Sequence, residues 1–87
     1  MMRQVVKWFS EEMENKLNEN DDKGGWRDCK TSYLLKRLKE ETAELEEALL
    51  DKAEALKILS EAVDIANFAM MIADNAEVEE ADRIDRL

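Results

Sequence analysis

The chain has no histidine and no proline, only two glycines, a single cysteine and few aromatic residues. Without histidine there is no Ser-His or Cys-His pair, no histidine-ligated zinc and no Glu-x-x-His di-iron site. The glycines are neighbours, Gly24 and Gly25, so neither a Walker loop nor a dinucleotide fingerprint can be built. Cys29 has no partner for an internal disulfide, which fits a reducing compartment. No apolar run approaches the roughly 20 residues needed to span a bilayer. The opening Met-Met-Arg-Gln soon turns acidic and does not read as a signal peptide. A cytoplasmic protein is expected. Its chemistry is restricted to carboxylates, lysines and arginines.

Glu, Lys, Leu and Ala dominate the 87 residues, a composition that favours helix throughout and argues against a sheet. The length suits one small domain, residues 1–87, close to the limit for a single adequate core. A net charge of −9 makes nucleic acid a poor partner, because backbone binding needs clustered Lys and Arg. Phosphates can still be bound if metal ions intervene.

Apolar spacing predicts a helix over about 2–18, with Met2, Val6, Phe9, Met13 and Leu17 on one stripe widened by Val5 and Trp8. Residues 18–25 are polar turn formers, hence a loop. A second helix is expected over about 32–50, capped by Asp28 or Thr31, with the stripe Leu34, Leu38, Leu45 and Ala48. Asp51-Lys-Ala-Glu54 reads as a capping box opening a third helix over about 52–75, with Asn75 as its C-cap. Residues 76–87 read as a weak terminal helix or a tail. The short connection makes helices two and three antiparallel neighbours. An all-α antiparallel bundle follows. Three such helices cannot cover helix three on all sides, so its leftover Ala, Met and Phe surface predicts completion of the core by a homodimer or a dimer of dimers.

Two anomalies interrupt this pattern. The third helix is apolar nearly all round, as a buried helix is, yet carries Asp64 and Asn67. In the second helix, the missing member of the apolar stripe is Glu41, with Glu44 one turn on. Burying a carboxylate is costly unless a cation or hydrogen bonds compensate it, so something positive is expected beside Asp64. Glu41/Glu44 and Glu61/Asp64 are each spaced by three, so the members of a pair point the same way. On facing antiparallel helices the four converge. Such hard oxygen ligands suit Mg²⁺, or Mn²⁺, which can neutralise a polyphosphate, activate water and stabilise a leaving pyrophosphate. The spacing alone is weakly specific: it recurs at Glu11/Glu14, Glu19/Asp22, Glu44/Glu47, Glu77/Glu80 and Glu79/Asp82, where a solvated charged face suffices. Glu41 and Asp64 stand apart because their surroundings are apolar.

Glu40-Glu41-x-x-Glu44 followed after a gap by Glu61-x-x-Asp64 resembles the signature of the MazG-like all-α NTP pyrophosphatase superfamily. The resemblance covers about residues 23–75. The segments Lys23-Gly-Gly-Trp26 and Asp64 to Asp74 are most similar to a small single-domain branch that includes phage-type dATP/dGTP pyrophosphohydrolases. It implies that Glu41, Glu44, Glu61 and Asp64 hold Mg²⁺, and that water attacks the α-phosphorus of a nucleoside triphosphate, giving the monophosphate and pyrophosphate. A phosphoribosyl-ATP pyrophosphohydrolase would use the same metal chemistry.

Around this set, Glu40 or a metal-coordinated carboxylate is a candidate general base. Trp26 is a candidate for stacking on a base or for plugging the bundle end. Lys23, with Arg27 and Lys30, can meet phosphates or stay solvated. Asn67 can contact the nucleotide or make a buried helix–helix bond. Lys57 can support Glu61 or a phosphate, or form a plain surface pair. Cys29, Met70 and Met71 read as packing. The competing class is a non-catalytic acidic module for oligomerisation or partner binding, which accounts for the helices but not for carboxylates within two apolar stripes.

Overall fold

The computed structural model describes residues 1–85, which form three helices and no strand. Helix α1 spans Gln4–Glu19, α2 spans Thr31–Leu50 and α3 spans Ala55–Asp85, with a 3₁₀ turn at Asp21–Lys23 between the first two. At 1.5 Å per residue α3 is about 46 Å long, which accounts for most of the 52 Å long dimension of the molecule. It is the spine. Helix α2 packs along it as an antiparallel neighbour, and α1 lies on it more sparingly. No helix among the described residues is long and apolar enough to cross a membrane.

The connection between α2 and α3 differs from the expected capping box. Asp51 caps the C-terminus of α2 rather than opening α3. Lys52 takes a left-handed φ of 55°, and the amides of Lys52 and Ala53 donate back to the carbonyls of Leu49 and Ala48 at 3.2 and 2.9 Å. This is a Schellman ending with lysine where glycine is usual. Helix α3 then starts at Ala55, with the Glu54 carbonyl accepting from the amides of Lys57 and Ile58. Neither Asp28 nor Thr31 caps α2, since Lys30 holds that position without a side-chain bond.

Asn75 is likewise not a C-cap. It lies inside α3, 3 % exposed, and residues 76–85 continue the same helix, so the expected weak helix or tail is the end of the spine. Residues 86 and 87 of that expected tail lie outside the described residues. The Asn75 side-chain amide donates to the carbonyls of Trp26 and Cys29 at 3.0 and 3.5 Å. Gly24, with φ of 87°, supplies the turn that brings the 24–30 loop to this position.

The apolar core is thin: among the described residues its buried hydrophobic members are Leu34, Ala48 and Val63. Leu38 and Leu45 of the α2 stripe are half-buried, and α1 buries no residue completely: Phe9, Met13 and Leu17 are half-covered while Met2, Val5, Val6 and Trp8 are exposed. The accessible surface is 6987 Å², whereas a compact monomer of this mass has about 5,300 Å². The radius of gyration is 15.0 Å, against about 12 Å for a compact chain of this length. The three helices enclose only a small core.

Candidate functional site

The gap in the α2 stripe is filled by Glu41, only 5 % exposed, between the buried Leu34 and Ala48 of the same helix. Facing it on α3, Glu61 is 3 % exposed and Asp64 is half-buried. One carboxylate oxygen from each of Glu41, Glu61 and Asp64 lies within 4.8 Å of the others. The antiparallel α2–α3 seam therefore brings together three carboxylates, one from α2 and two from α3, rather than the four that the spacing predicts. Glu44 is exposed at the rim, outside that triad, and its carboxylate adds to the crowding that raises Glu41.

Each carboxylate has one basic partner. Arg37, one turn before Glu41, donates from Nη2 to Glu41 Oε1 at 3.1 Å and stacks its guanidinium 5.3 Å from the centre of the Phe68 ring. Lys57 pairs with Glu61 Oε1 at 2.7 Å, again one turn away on the same helix. The cation expected beside Asp64 comes from α1: Lys16 Nζ stands 3.6 Å from Asp64 Oδ1 and donates to Ser60 Oγ at 2.9 Å. The second oxygens of Glu41 and Glu61, both Oε2, are buried and accept no hydrogen bond. Only a shared proton, water or a cation can satisfy them.

The electrostatics reflect this crowding. Burial, reinforced by Glu44, Glu61 and Asp64, pushes the Glu41 carboxyl up to about 7. The hydrogen bond from Lys57 holds Glu61 below the ordinary carboxylate range against its burial. Burial raises Asp64, opposed by the Lys16 ammonium. One carboxyl of the set thus holds a proton close to neutrality while another stays ionised.

Other expected site residues lie elsewhere. Glu40 is turned out to solvent and paired with Arg37, apart from the triad. Trp26 does not reach the carboxylates; its Nε1 donates to Asp74 Oδ2 at 2.9 Å, beside the Arg27–Asp74 ion pair, also 2.9 Å. Ten residues separate Asp74 from Asp64, about 15 Å along α3. Lys23 sits exposed in the 3₁₀ turn. Asn67 is buried and donates from Nδ2 to the Met13 carbonyl at 3.2 Å, a helix–helix bond to α1. Lys57 both supports Glu61 and lines a cleft of about 340 Å³ with Glu44, Glu47, Ala48, Asp51 and Ala53.

Sequence reasoning missed Arg37, Lys16 and Ser60. Arg37 was legible as the residue one turn before an anomalous Glu41. Lys16 carried a weaker signal, a lysine beside the α1 apolar stripe. Ser60 carried none, because its role depends on where α1 crosses α3. Compared with known families, curated proteins and solved structures, the chain matches none.

Proposed function

We propose that this chain is a Mg²⁺-dependent nucleoside triphosphate pyrophosphohydrolase, cleaving a (deoxy)nucleoside triphosphate to the monophosphate and pyrophosphate. The observation that carries this reading is the convergence of Glu41, Glu61 and Asp64 within 4.8 Å, with two buried oxygens to which nothing donates. A buried cluster of like charges is unfavourable for folding. Hard carboxylate oxygens with unused lone pairs fit Mg²⁺ or Mn²⁺, so Glu41, Glu61 and Asp64 would hold the ion with Glu44 at the rim. When bound, such an ion supplies positive charge and Lewis-acid polarisation against a phosphoryl group. The chain's own residues do the rest. Glu44, exposed beside the triad, has access to an attacking water and can orient or deprotonate it. Lys57 faces the 340 Å³ cleft, where its ammonium would meet the departing phosphates. Arg37 and Phe68 fix the Glu41 carboxylate in place.

A homodimer or dimer of dimers belongs to the same proposal. The surface beyond that of a compact monomer is about 1,700 Å², more than the roughly 800 Å² that each partner buries in a standard interface, and the exposed Val5, Val6 and Trp8 of α1 contribute to it. The lone Cys29, unbridged, is compatible with a cytoplasmic setting.

One observation favours the second reading, a non-catalytic helical module: each carboxylate of the triad already has a basic partner. An internal ion-pair network of that kind needs no metal. Thermal melting with and without MgCl₂, alongside pyrophosphate release from a panel including dATP, dGTP and phosphoribosyl-ATP, separates the two. A ligand of the folded state raises the melting temperature by mass action. A Mg²⁺-dependent rise with pyrophosphate from one triphosphate is the expected result. No rise and no pyrophosphate would leave the helical module standing.

A further inference from the structure

Arg37 and Lys57 reach their carboxylates from one turn away on the same helix, whereas Lys16 reaches Asp64 from α1. At 3.6 Å the ammonium is beyond good hydrogen-bonding distance from Asp64, and its short contact, 2.9 Å, is to Ser60 Oγ. Its hold on Asp64 is therefore chiefly Coulombic, on a flexible stem, with Ser60 as the anchor. A divalent ion drawn to the unsatisfied oxygens of Glu41 and Glu61 competes with Lys16 for Asp64, since two cations repel and the divalent one carries the greater charge.

An ammonium displaced from Asp64 needs an anion next. Glu40, Glu41, Glu44, Glu61 and Asp64 carry five negative charges against three positive ones on Arg37, Lys57 and Lys16, a formal balance of −2. One divalent ion brings it to 0, so Lys16 is released beside a centre that no longer carries net negative charge. We propose that Lys16 serves two ligands in turn: it neutralises Asp64 while the centre lacks an ion, yields that carboxylate when the ion binds, and then contacts the polyphosphate of the substrate. This rests on the pyrophosphohydrolase reading. It makes Lys16 a substrate-binding residue supplied by the helix that packs least tightly. The competing destination for the released ammonium is on α1 itself, where Glu12 and Glu19 line the same cleft as Lys16 and Ser60.

Calorimetric titration of the intact protein at pH 8 tests this, first with MgCl₂ alone and then with inorganic tripolyphosphate in saturating MgCl₂. Lys16→Met should bind Mg²⁺ about fivefold more tightly and tripolyphosphate about tenfold more weakly, a range typical of coupled sites. Lys16→Arg should stay within about twofold of wild type on both, because the charge is kept. A merely structural lysine would move both affinities in one direction or neither. Lys16→Gln, which retains a donor for Ser60, provides the same comparison if circular dichroism shows that Lys16→Met loses α1. Unchanged tripolyphosphate affinity in a variant that binds Mg²⁺ more tightly would mean retreat to Glu12 or Glu19. With pyrophosphate release intact in the wild type, that result overturns the role of Lys16 alone. Wild-type protein that binds no Mg²⁺ overturns the reading beneath it as well.

Discussion

Two groups of polar side chains lie about 15 Å apart along α3 and differ in how completely they are matched. Around Asp74 and Asn75, donors meet acceptors: the Trp26 indole and the Arg27 guanidinium converge on one carboxylate, and the Asn75 amide holds two loop carbonyls. Asn75 leaves only its neutral Oδ1 unmatched. Around Glu61 and Asp64, each carboxylate has a basic partner, yet carboxylate also meets carboxylate, and the unmatched atoms are oxygens of acids. The first arrangement ties a loop to a helix and contributes to stability. The second opposes folding unless a cation or proton relieves it. Polar burial therefore differs between the two regions in the sign of what has been brought together.

The largest expected effect breaks the comparison at the carboxylates. On the proposed function, Glu41→Gln should lower Mg²⁺-dependent pyrophosphate release about 100-fold or more, since it would remove a ligand, and at metal sites even supporting residues matter by about 10–100-fold. The same change should stabilise the metal-free protein in alkaline solution. An ordinary glutamate ionises near 4.5, whereas folded Glu41 does so only at about 7. Between those values the folded state binds the extra proton, so stability falls as pH rises; the contribution is complete below 4.5 and lost above 7. Glu61, held low by Lys57, acts in the opposite sense, with stability present above the ordinary carboxylate range and lost in acid. Chemical denaturation in chelator at pH 8 should show Glu41→Gln more stable by about 1–3 kcal/mol. A less stable variant at that pH would contradict the electrostatic account.

A smaller effect tests the paired cluster. Asn75→Ala leaves the Trp26 and Cys29 carbonyls without their donor and should destabilise by about 1–2 kcal/mol. Mg²⁺ affinity, measured on the folded protein, should stay within about twofold because the sites are far enough apart to act independently. A coupled loss of metal binding would erase the distinction between the two regions. The smallest effect concerns strain unrelated to either. Lys52→Gly relieves a left-handed lysine at the end of α2 and should stabilise by about 0.5–1 kcal/mol. Activity should not change, and a lowered melting temperature would show that the Lys52 side chain contributes something its φ conceals.

Much of this architecture is legible in residue spacing. Leu34, Glu41 and Ala48 lie on one face because seven residues make nearly two turns, so the intrusion of Glu41 into the core could be read directly. The pairing of α2 with α3 followed from their short connection. The ends of α3 were misread for a physical reason. Asp51-x-x-Glu54 has the letters of a capping box but ends the preceding helix, and Asn75 has the letter of a C-cap but sits opposite the 24–30 loop. Local chemistry proposes a boundary, and a distant segment that satisfies the same side chain overrides it. Trp26 followed the same logic, since Asp74 claims its indole.

Helix content, the antiparallel α2–α3 pair and the intrusion of Glu41 and Asp64 into apolar faces were determined by the sequence alone, because each depends on periodicities of a few residues. The tertiary structure decided the rest: that Lys16 crosses from α1 to Asp64, that Glu40 turns away with Arg37, and that α3 runs on through Asp85. Those outcomes depend on which side chains from remote segments meet, and on whether burial leaves them paired or exposed to one another's charge. No local period encodes that.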